Sequence, residues 1–464
     1  MRYVSTRGQA PQLDFAAATL AGLAIDGGLY VPEQWPRLAP DEIAALAGLS
    51  YAEVATRVMA PFVAGSLDEA RLHALSEKTY AAFHHRAVAP LVQCDARHWL
   101  LELFHGPTLA FKDIALQFLG NLFDLLLQET GRRLTIIGAT SGDTGSAAIH
   151  AVAGRENVDI FMLHPAGRVS EVQRRQMTTV LAPNVHNIAI GGTFDDCQAM
   201  VKTLFGDADL RASLMLSAVN SINWARIMAQ VVYYFASAVA LGAPRRAIAF
   251  AVPTGNFGDV FAGYVAAQMG LPISRLIVAT NVNDIVCRAL RQGEYAAGEV
   301  TPTISPSMDI QVSSNFERLL FDLCRRDGAA VAALMAEFAR ARRLRLTGEQ
   351  LRQARQIFTA QRVDEDTTAR AIAEVHEHCG LIIDPHSAVG YAAARAAAAE
   401  GNEPIVTLAT AHPGKFRDAV ERACGIRPSL PRHVGDLFGR EERYQRLAND
   451  WRCVRAHILE HARP

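Results

Sequence analysis

Four short segments of the chain combine residue types that can bind anions or act as nucleophiles. The first lies between a predicted strand and a predicted helix and reads Thr140-Ser141-Gly142-Asp143-Thr144-Gly145-Ser146. Small residues let the backbone approach a ligand closely, and hydroxyl and N–H groups at a helix N-terminus suit a carboxylate or a phosphate. The same residues would also suit an N-capped tight turn. No Gly-Lys-Ser/Thr follows, which excludes a Walker loop.

A second loop with anion-binding character reads Pro253-Thr254-Gly255-Asn256-Phe257-Gly258-Asp259 and again lies between an apolar strand and a helix. Two glycines and an asparagine can build a nest of N–H groups around a phosphate. The segment lacks the dinucleotide fingerprint GxGxxG, so neither a nicotinamide nor a flavin cofactor is indicated. The alternative interpretation is a purely structural turn.

A lysine in an apolar setting is the candidate nucleophile. Lys112 lies between Phe111 and the helical run Ile114–Leu127, with Asp113 as its next neighbour. Most lysines lie on the surface, and the residue taken alone would be read that way. In apolar surroundings, however, the pKa of a lysine falls and its amine can attack a carbonyl. A Schiff base with a cofactor aldehyde requires such an amine.

The fourth segment reads Asn220-Ser221-Ile222-Asn223-Trp224-Ala225-Arg226 and precedes an apolar helix. Arg226 could hold a substrate phosphate in a bidentate grip, or it could be a surface arginine beside a capped helix. Two anion-suited loops, an apolar lysine and an arginine together fit a phosphorylated cofactor and an anionic substrate. These residues alone do not identify the cofactor.

Short β-branched runs alternate with helical patterns and would position these segments. Alternation of this kind predicts an α/β fold of βαβ units, whose mostly parallel sheets are covered by helices and bind ligands beyond the carboxyl ends of the strands. Residues up to about Pro90 are predicted to be mainly helical, and Gly328–Gln361 is predicted to be a helical insertion with solvated arginines. The predicted strands are Leu134–Ile137, Asp159–Leu163, Val185–Ile190, Ala247–Val252, Leu276–Ala279 and Ile405–Leu408.

Composition narrows the class of protein. The chain has 464 residues, half of them hydrophobic, and a formal net charge of -1. That balance gives no electrostatic reason to expect a nucleic acid or an anionic membrane as partner. The most apolar run, Ile227–Leu241, contains Gln230 and two tyrosines and is predicted to be a buried helix. The seven cysteines are scattered and are predicted to be reduced thiols of a cytoplasmic protein.

The four segments, taken with several further motifs, resemble the threonine synthase family of fold-type II enzymes, which use pyridoxal 5′-phosphate (PLP). The resemblance covers nearly the whole chain and is to the subgroup of bacteria and fungi that has a long N-terminal domain. It implies three-layer αβα architecture, with open twisted, mostly parallel sheets in two PLP-fold domains and a mainly helical N-terminal domain. The further motifs are Tyr3–Gly8, Asp26–Pro32, Gly192–Cys197, Asp384–His386 and Thr410–Phe416.

The resemblance implies which residues would hold the cofactor. Lys112 would form the Schiff base with PLP, and the cofactor phosphate would lie against Gly255, Asn256, Phe257, Gly258 and Asp259. Thr410 matches the hydroxyl residue that bonds the pyridine nitrogen, with Thr407 as the alternative. Asp143 stands where related enzymes often carry asparagine near the 3′-oxygen of PLP. A carboxylate cannot donate a hydrogen bond to that oxygen unless it is protonated, so the role of Asp143 stays open.

The substrate-binding residues follow from the same resemblance. Thr140, Ser141 and Thr144 match the loop that binds the substrate, with its α-carboxylate as the expected partner. Asn220, Ser221 and Arg226 match the site of the substrate phosphate. The implied reaction converts O-phospho-L-homoserine and water into L-threonine and phosphate, and Lys112 acts in it as general base and acid.

Three alternatives remain open from the residues. A hydroxyamino-acid dehydratase would share the lysine and the phosphate loop but would not need Arg226. A threonine synthase-like phospho-lyase would release 2-oxobutyrate. A non-catalytic protein of the same fold would not need Lys112 and both anion loops. No metal is predicted, because the spacing of His105, His386 and His412 matches no standard ligand pattern.

The predicted domains are an N-terminal domain over residues 1–95 and a PLP-fold domain over 96–240 that carries the lysine and the substrate loop. A second PLP-fold domain would cover 241–464 and contain the cofactor-phosphate loop and a helical insertion at about 300–365. The protein is further predicted to be a cytoplasmic monomer or homodimer.

Overall fold

The structure is a computed structural model that describes residues 1–398 and 401–463. Residues 399–400 and 464, which belong to the third predicted domain, lie outside the described residues. The helices are α1 (Phe15–Ala21), α2 (Pro40–Ala44), α3 (Tyr51–Val63), α4 (Glu69–Tyr80), α5 (Lys112–Thr130), α6 (Asp143–Val152), α7 (Glu171–Thr178), α8 (Phe194–Gly206), α9 (Ala208–Ser213), α10 (Trp224–Ala240), α11 (Gly258–Gln268), α12 (Ile285–Gln292), α13 (Phe316–Leu323), α14 (Gly328–Ala341), α15 (Gly348–Ala354), α16 (Glu365–Cys379), α17 (Pro385–Ala397), α18 (Arg417–Cys424) and α19 (Trp451–His461).

The strands are short and lie between these helices. They are β1 (Tyr3–Ser5), β2 (Tyr30–Pro32), β3 (Leu91–Gln93), β4 (His98–Glu102), β5 (Leu134–Ala139), β6 (Val158–Pro165), β7 (Val185–Ile190), β8 (Leu216–Ser217), β9 (Ile248–Pro253), β10 (Ile273–Thr280), β11 (Glu294–Ala296), β12 (Arg343–Arg345), β13 (Phe358–Arg362), β14 (Ile405–Ala409) and β15 (Gln445–Leu447).

Two sheets form the body of the fold. Five strands lie in the order β15-β7-β6-β5-β8, and all of their pairings are parallel. Six strands lie in the order β13-β10-β9-β14-β4-β3, and only β3 and β4 are antiparallel. The predicted α/β fold with mostly parallel sheets is therefore confirmed.

Helices cover both faces of each sheet because the central strands are apolar on both sides. All eight residues of β6 and all six of β9 are buried. In the smaller sheet α8 packs on β5 and β6, and α6 also packs on β6. In the larger sheet α17 packs on β9, β10 and β14, while α11 and α12 pack on β10. The apolar run that was predicted to be a buried helix is α10, in which only a few side chains reach the surface.

The N-terminal segment is helical, as predicted, but it also contains the antiparallel pair β1–β2. Glu317 of α13 ties this pair to the second half of the chain. Its carboxylate accepts hydrogen bonds from the Thr6 hydroxyl at 2.7 Å and from Arg7 Nε at 3.0 Å and Nη2 at 2.9 Å. Charge-assisted bonds of this kind are the stronger ones in proteins, so the N-terminal segment is anchored next to α13.

The prediction of a helical insertion over Gly328–Gln361 is wrong in two places. Phe358–Arg362 is β13, a parallel edge strand beside β10. Arg343–Arg345 is β12, which pairs with β11. Strand β12 alternates exposed and buried side chains, and β13 alternates buried and half-buried ones before an exposed last residue. Both strands are too short for that period to stand out among the surrounding alanines and arginines. The arginines of this region are exposed, as predicted.

The two main sheets exchange segments of the chain. Strand β4, within the predicted range 96–240, lies in the six-stranded sheet beside β14. Strand β15, within the range 241–464, lies at the edge of the five-stranded sheet beside β7. Each main sheet thus takes most of its strands, but not all of them, from one predicted PLP-fold domain. The domain limits stay a prediction. Within the described residues, no helix has the length and apolar character needed to cross a bilayer.

Candidate active site

The carboxyl ends of strands from both sheets bring the predicted segments together. Lys112 begins α5 after β4, and Asp143 begins α6 after β5. Thr410 follows β14, and its carbonyl accepts a 2.9 Å hydrogen bond from the N–H of Phe111. Ligands bind at such strand ends in α/β folds. The junction between the two sheets is therefore the candidate active site.

Lys112 has the environment expected of an amine nucleophile. Only 12% of its side chain is exposed, and its Nζ lies 3.6 Å from Oδ2 of Asp143. Burial lowers the pKa of the Lys112 amine. The Asp143 carboxylate opposes that pKa shift, whereas the charges of Lys415 and Arg226 add to it. A larger share of the amine is therefore neutral at a given pH than for a lysine in water.

Asp143 lies between two ammonium groups. Its Oδ1 accepts hydrogen bonds from Lys415 Nζ at 2.7 Å and from Gln173 Nε2 at 2.8 Å, and its Oδ2 faces Lys112. Burial alone would raise the pKa of Asp143, but the charges of Lys415 and Lys112 bring that pKa below its usual range. The carboxylate is thus ionised and can only accept hydrogen bonds. Sequence reasoning placed Asp143 near the cofactor but gave no role to Lys415.

The loop between β5 and α6 is held by one hydroxyl. The Oγ1 atom of Thr140 accepts hydrogen bonds of 2.9 Å from the N–H groups of both Gly142 and Gly145. Gly142 has a φ of 144°, a conformation that favours glycine. Ser141 is exposed and Thr144 half-buried. Thr140 thus shapes the loop, while Ser141 and Thr144 lie near its surface.

The loop between β9 and α11 has the shape of an anion cup. Phe257 adopts a left-handed conformation with a φ of 63°, and α11 begins at the next residue, Gly258. A left-handed residue next to right-handed ones turns successive backbone N–H groups toward one point. That point lies at the N-terminus of α11, which is the positive end of the helix dipole. A Cβ atom on Gly255 would lie 3.0 Å from the carbonyl oxygen of Ser307, so the segment Pro306–Met308 closely covers the loop.

The side chain of Asp259 takes no part in that cup. Its Oδ1 accepts hydrogen bonds from the hydroxyls of Tyr233 and Tyr234, the latter at 3.1 Å. Burial raises the pKa of Asp259 to about 6, and the two tyrosines limit the shift. Any contribution of Asp259 to phosphate binding would therefore come from its backbone N–H. The two tyrosines lie in α10, and nothing in the local sequence indicated this contact.

Replacing Gly255 with alanine is expected to weaken PLP binding about tenfold, because a methyl group in this crowded loop costs about 1–3 kcal/mol. Fluorescence titration of the PLP-free chain with PLP measures the change in Kd. Gly206→Ala is the matched control, since its Cβ would meet no atom within 4 Å at the end of α8. Equal affinities of the two variants for PLP would contradict this account of the loop.

Arg226 is a buried cation without a carboxylate partner in the part of the chain that the structure describes. Only 3% of the residue is exposed, and Nη1 donates to the Val219 carbonyl at 3.1 Å. The Nε atom is buried and has no hydrogen-bond partner among the described residues. Burial lowers the pKa of Arg226 to about 10. An unpaired guanidinium in such a place favours binding of an anion.

The segment that leads into α10 lies against the loop between β9 and α11. A Cβ atom on Gly258 would lie 3.5 Å from the Cβ of Ser221. Ser221 is half-buried and Asn220 exposed. The two predicted anion-binding segments, 253–259 and 220–226, are therefore neighbours in space.

Arg318 is a supporting residue that sequence reasoning missed. Its guanidinium is fully buried and donates to the carbonyls of Tyr30 at 3.1 Å and of Ile222, as well as to Oδ1 of Asn315. Burial lowers the pKa of Arg318 to about 9. The contacts tie the 220–226 segment to the N-terminal segment. Arg318 lies within the predicted insertion, where the sequence holds many arginines and no signal sets one apart.

Thr410 is better placed than Thr407 to meet a cofactor beside Lys112. Thr407 is fully buried inside β14, with its methyl group beside Gly390 and its hydroxyl without a partner among the described residues. Thr410 lies past the end of the strand, where its N–H donates to the Ser387 hydroxyl at 3.1 Å. The contact of Thr410 with the pyridine nitrogen stays a prediction.

The three histidines considered for metal binding are bonded to the protein. His386 Nδ1 lies 2.6 Å from Asp384 Oδ2, and its Nε2 accepts from the Ser307 N–H at 3.1 Å. His105 Nε2 lies 2.8 Å from a carboxylate oxygen of Glu102. His412 Nδ1 accepts from the Gly414 N–H at 3.0 Å. These bonds fit supporting roles for the histidines.

The fold and these groups define a class of enzyme. A buried amine at a strand end, an anion cup at the N-terminus of α11 and a carboxylate beside the amine are the groups that hold PLP, an aldehyde with a phosphate. The unpaired Nε of Arg226 adds a place for a second anion. The site is that of a PLP-dependent enzyme of the α/β class.

Comparison with known proteins gives the family. Residues 2–80 match the family "Threonine synthase N terminus", residues 83–351 match "Pyridoxal-phosphate dependent enzyme" and residues 387–458 match "Threonine synthase, C-terminal". A threonine synthase of Pseudomonas aeruginosa is 56% identical over 462 residues, which cover 99% of this chain and 98% of the relative. The chain belongs to the threonine synthase family.

Solved structures agree with this family. A crystal structure of PLP-bound threonine synthase from Brucella melitensis has a TM-score of 0.97 and 53% identity, and covers 100% of both chains. The crystal structure of yeast threonine synthase has a TM-score of 0.93 and 39% identity, and covers 99% of this chain and 98% of the yeast chain. The predicted cofactor, PLP, and the predicted enzyme class, a PLP-dependent lyase, are confirmed.

Proposed function

We propose that this chain converts O-phospho-L-homoserine and water into L-threonine and phosphate. The observation that carries the proposal is the buried, unpaired guanidinium of Arg226 in the segment that lies against the PLP-phosphate loop. A hydroxyamino acid without a phosphate has its α-carboxylate as its one anionic group, so an enzyme that used it would not need this cation for a second anion. A phosphate monoester on the substrate would supply the missing partner.

PLP supplies an electron sink that stabilises negative charge on the substrate carbons. The protein would hold it through the N–H groups of Gly255, Asn256, Phe257, Gly258 and Asp259. Thr410 would bond the pyridine nitrogen. Asp143 would lie near the 3′-oxygen as a hydrogen-bond acceptor, because its neighbours keep it ionised.

The substrate would bind by its two anionic ends. Thr144 and Ser141, near the surface of the loop that Thr140 shapes, would bond the α-carboxylate. Asn220, Ser221 and Arg226 would bond the phosphate. Holding both ends fixes the carbon chain between them, so that each reacting carbon comes within reach of one base.

Lys112 would carry the protons. Once released from PLP, its Nζ is a buried amine whose pKa is lowered, so it can accept a proton near neutral pH and return it. The successive positions are Cα, Cβ and Cγ of the substrate, and phosphate leaves from Cγ before water adds at Cβ. The charge that Lys112 gains in this cycle would be stabilised by Asp143, 3.6 Å away.

The proposal extends to the domains of the protein, its location and its oligomeric state. We propose three domains over residues 1–95, 96–240 and 241–464. Strands β3 and β4 then lie in the six-stranded sheet of the third domain, and β15 lies in the five-stranded sheet of the second. We also propose that the protein works in the cytoplasm as a monomer or homodimer.

Product analysis tests the proposed reaction. The PLP-loaded protein is incubated with O-phospho-L-homoserine, and threonine, 2-oxobutyrate and phosphate are measured separately. We expect threonine and phosphate in equal amounts and little 2-oxobutyrate. Predominant 2-oxobutyrate would instead identify a phospho-lyase. Release of 2-oxobutyrate from L-threonine, supplied as the control substrate, would identify a dehydratase.

A further inference from the structure

A second lysine is buried in the active site and has no part in the reaction as proposed above. Lys415 lies in the short 3-10 turn Pro413–Lys415, between β14 and α18. None of its side chain is exposed, which is rare for a lysine and requires partners for its charge.

The partners of Lys415 are a carbonyl and a carboxylate. Its Nζ donates to the backbone oxygen of Thr108 at 2.8 Å and lies 2.7 Å from Oδ1 of Asp143. The other carboxylate oxygen of Asp143 lies 3.6 Å from Nζ of Lys112. A chain of alternating charges therefore runs from Lys415 through Asp143 to Lys112.

The carboxylate between the two lysines is fixed in place. Gln173 Nε2 donates to Oδ1 at 2.8 Å, and the Ser307 hydroxyl lies 3.4 Å from Oδ2. Lys415 and Gln173 both donate to Oδ1 and so fix the orientation of the carboxylate. In this orientation Oδ2 faces Lys112. The separation of 3.6 Å is longer than that of the other ion pair, 2.7 Å, so Asp143 is bound more closely to Lys415.

We propose that Lys415 is a positioning residue, which binds Asp143 and thereby limits how strongly this carboxylate holds positive charge on the nitrogen of Lys112. The proposal rests on the proposed role of Lys112. Without Lys415, Asp143 would have Lys112 as its one ion-pair partner among the described residues. The Lys112 nitrogen would then keep its proton to higher pH, both as an amine and as the nitrogen linked to PLP.

Other charged groups face this chain of residues and would remain in a variant of Lys415. Arg226 and Asp259 face Lys112, and Lys112 already feels the repulsion of Arg226. Besides Asp143 and Lys112, the charged or titratable groups that face Lys415 include Asp113, His150 and His412. Burial lowers the pKa of His150 and of His412 to about 4, so both histidines are neutral over the pH range of the experiment. Burial raises the pKa of Asp113 to about 6, which places its titration inside that range and makes a control for it necessary.

Visible absorption of the PLP-loaded chain as a function of pH tests the proposal. The band of the lysine-linked cofactor changes when the Lys112 nitrogen loses its proton. In Lys415→Met the midpoint of this change should rise by about one pH unit, because a cation is removed and a carboxylate is freed. Lys415→Arg keeps the charge and should shift the midpoint much less. Asp113→Asn controls for Asp113, and the Lys415→Met shift should persist in that background.

A double substitution decides whether Lys415 acts through Asp143. In an Asp143→Asn background, adding Lys415→Met should move the midpoint by a small fraction of its shift in the natural background. Lys415→Met alone leaves the buried Asp143 carboxylate without its closer partner and could prevent folding. The double variant removes both charges at nearly constant volume, so it can still be measured if the single variant fails to fold. An unchanged midpoint in Lys415→Met would overturn the proposal. So would an equal shift in the Asp143→Asn background. The absorption titration does not depend on which product is formed. An unchanged midpoint would therefore contradict the role of Lys415 even where the product analysis above finds threonine.

Discussion

Replacing Lys112 with alanine is expected to abolish threonine formation and to leave PLP without a covalent link to the protein. Lys112 is the buried amine that begins α5 at the end of β4, and the proposed cycle uses it for every proton transfer. Loss of a general base alone costs at least about a hundredfold in rate. Loss of the covalent capture of PLP adds to this cost, so we expect a fall of more than about a thousandfold.

Two measurements check the result for Lys112→Ala. Borohydride reduction followed by peptide mass analysis should find the cofactor on Lys112 in the natural chain and on no peptide of the variant. Turnover of O-phospho-L-homoserine is measured in parallel. Lys202→Ala is the matched control, because Lys202 is an exposed lysine of α8 and its replacement should leave both results unchanged. Threonine formation at the normal rate in Lys112→Ala would refute the assignment.

The loops of the site could be predicted because their signals are local. A strand, a turn rich in small residues and a helix follow one another within about 20 residues in β5–α6 and again in β9–α11. The sequence therefore predicts that the segments 140–146 and 253–259 lie at strand ends. Lys112 could be selected for a similar reason, since an apolar segment that ends at Phe111 precedes it and the apolar run from Ile114 begins two residues after it.

Contacts between distant parts of the chain could not be predicted in this way. Lys415 pairs with Asp143, and Arg318 bonds Tyr30, although each pair is far apart in sequence. Composition and periodicity carry no information about which buried lysine meets which carboxylate. The same limit applies to Asp259, because its place in the predicted phosphate loop does not reveal that two tyrosines of α10 donate to its side chain.

Edge strands are a second place where the prediction failed for a physical reason. β13 has five residues, of which two are fully buried, so its period-two pattern extends over only a few positions. Its pairing with β10 stabilises it, and that partner lies far upstream in the chain. Central strands such as β6 are buried throughout and were predicted from their apolar runs alone.

The charges of the site favour anionic ligands once its parts are assembled. Lys112, Lys415 and Arg226 contribute three cations, and Asp143 is the carboxylate held ionised among them. Burial raises the pKa values of the Asp259 and Asp113 carboxyls to about 6. Both carboxyls are therefore largely neutral at acidic pH and then cancel little of the positive charge. An excess of positive charge suits the two phosphates and the carboxylate that the proposed reaction would bring to the site, and it predicts that these cations contribute much of the substrate affinity.

Replacing Arg226 with methionine is expected to lower kcat/KM for O-phospho-L-homoserine by about 10- to 150-fold, mainly through KM. That range corresponds to about 1.5–3 kcal/mol for one charge-assisted hydrogen bond. Methionine keeps much of the buried volume, so lost packing contributes little. Steady-state kinetics of the PLP-loaded protein measures the change. Arg211→Met is the control, because Arg211 is exposed in α9 and should leave the kinetics unchanged.

Thermal unfolding separates a phosphate-binding role of Arg226 from a structural one. Because burial lowers the pKa of Arg226 to about 10, the folded state holds the charged guanidinium at a cost that its bond to the Val219 carbonyl offsets only in part. A neutral side chain removes this cost, so Arg226→Met should unfold at a temperature no lower than the natural chain when no phosphate is present. Inorganic phosphate should raise the unfolding temperature of the natural chain more than that of the variant, since a ligand stabilises only the state that binds it. A variant that unfolds several degrees earlier but keeps its kcat/KM and its full response to phosphate would show that Arg226 supports the fold and does not bind the substrate.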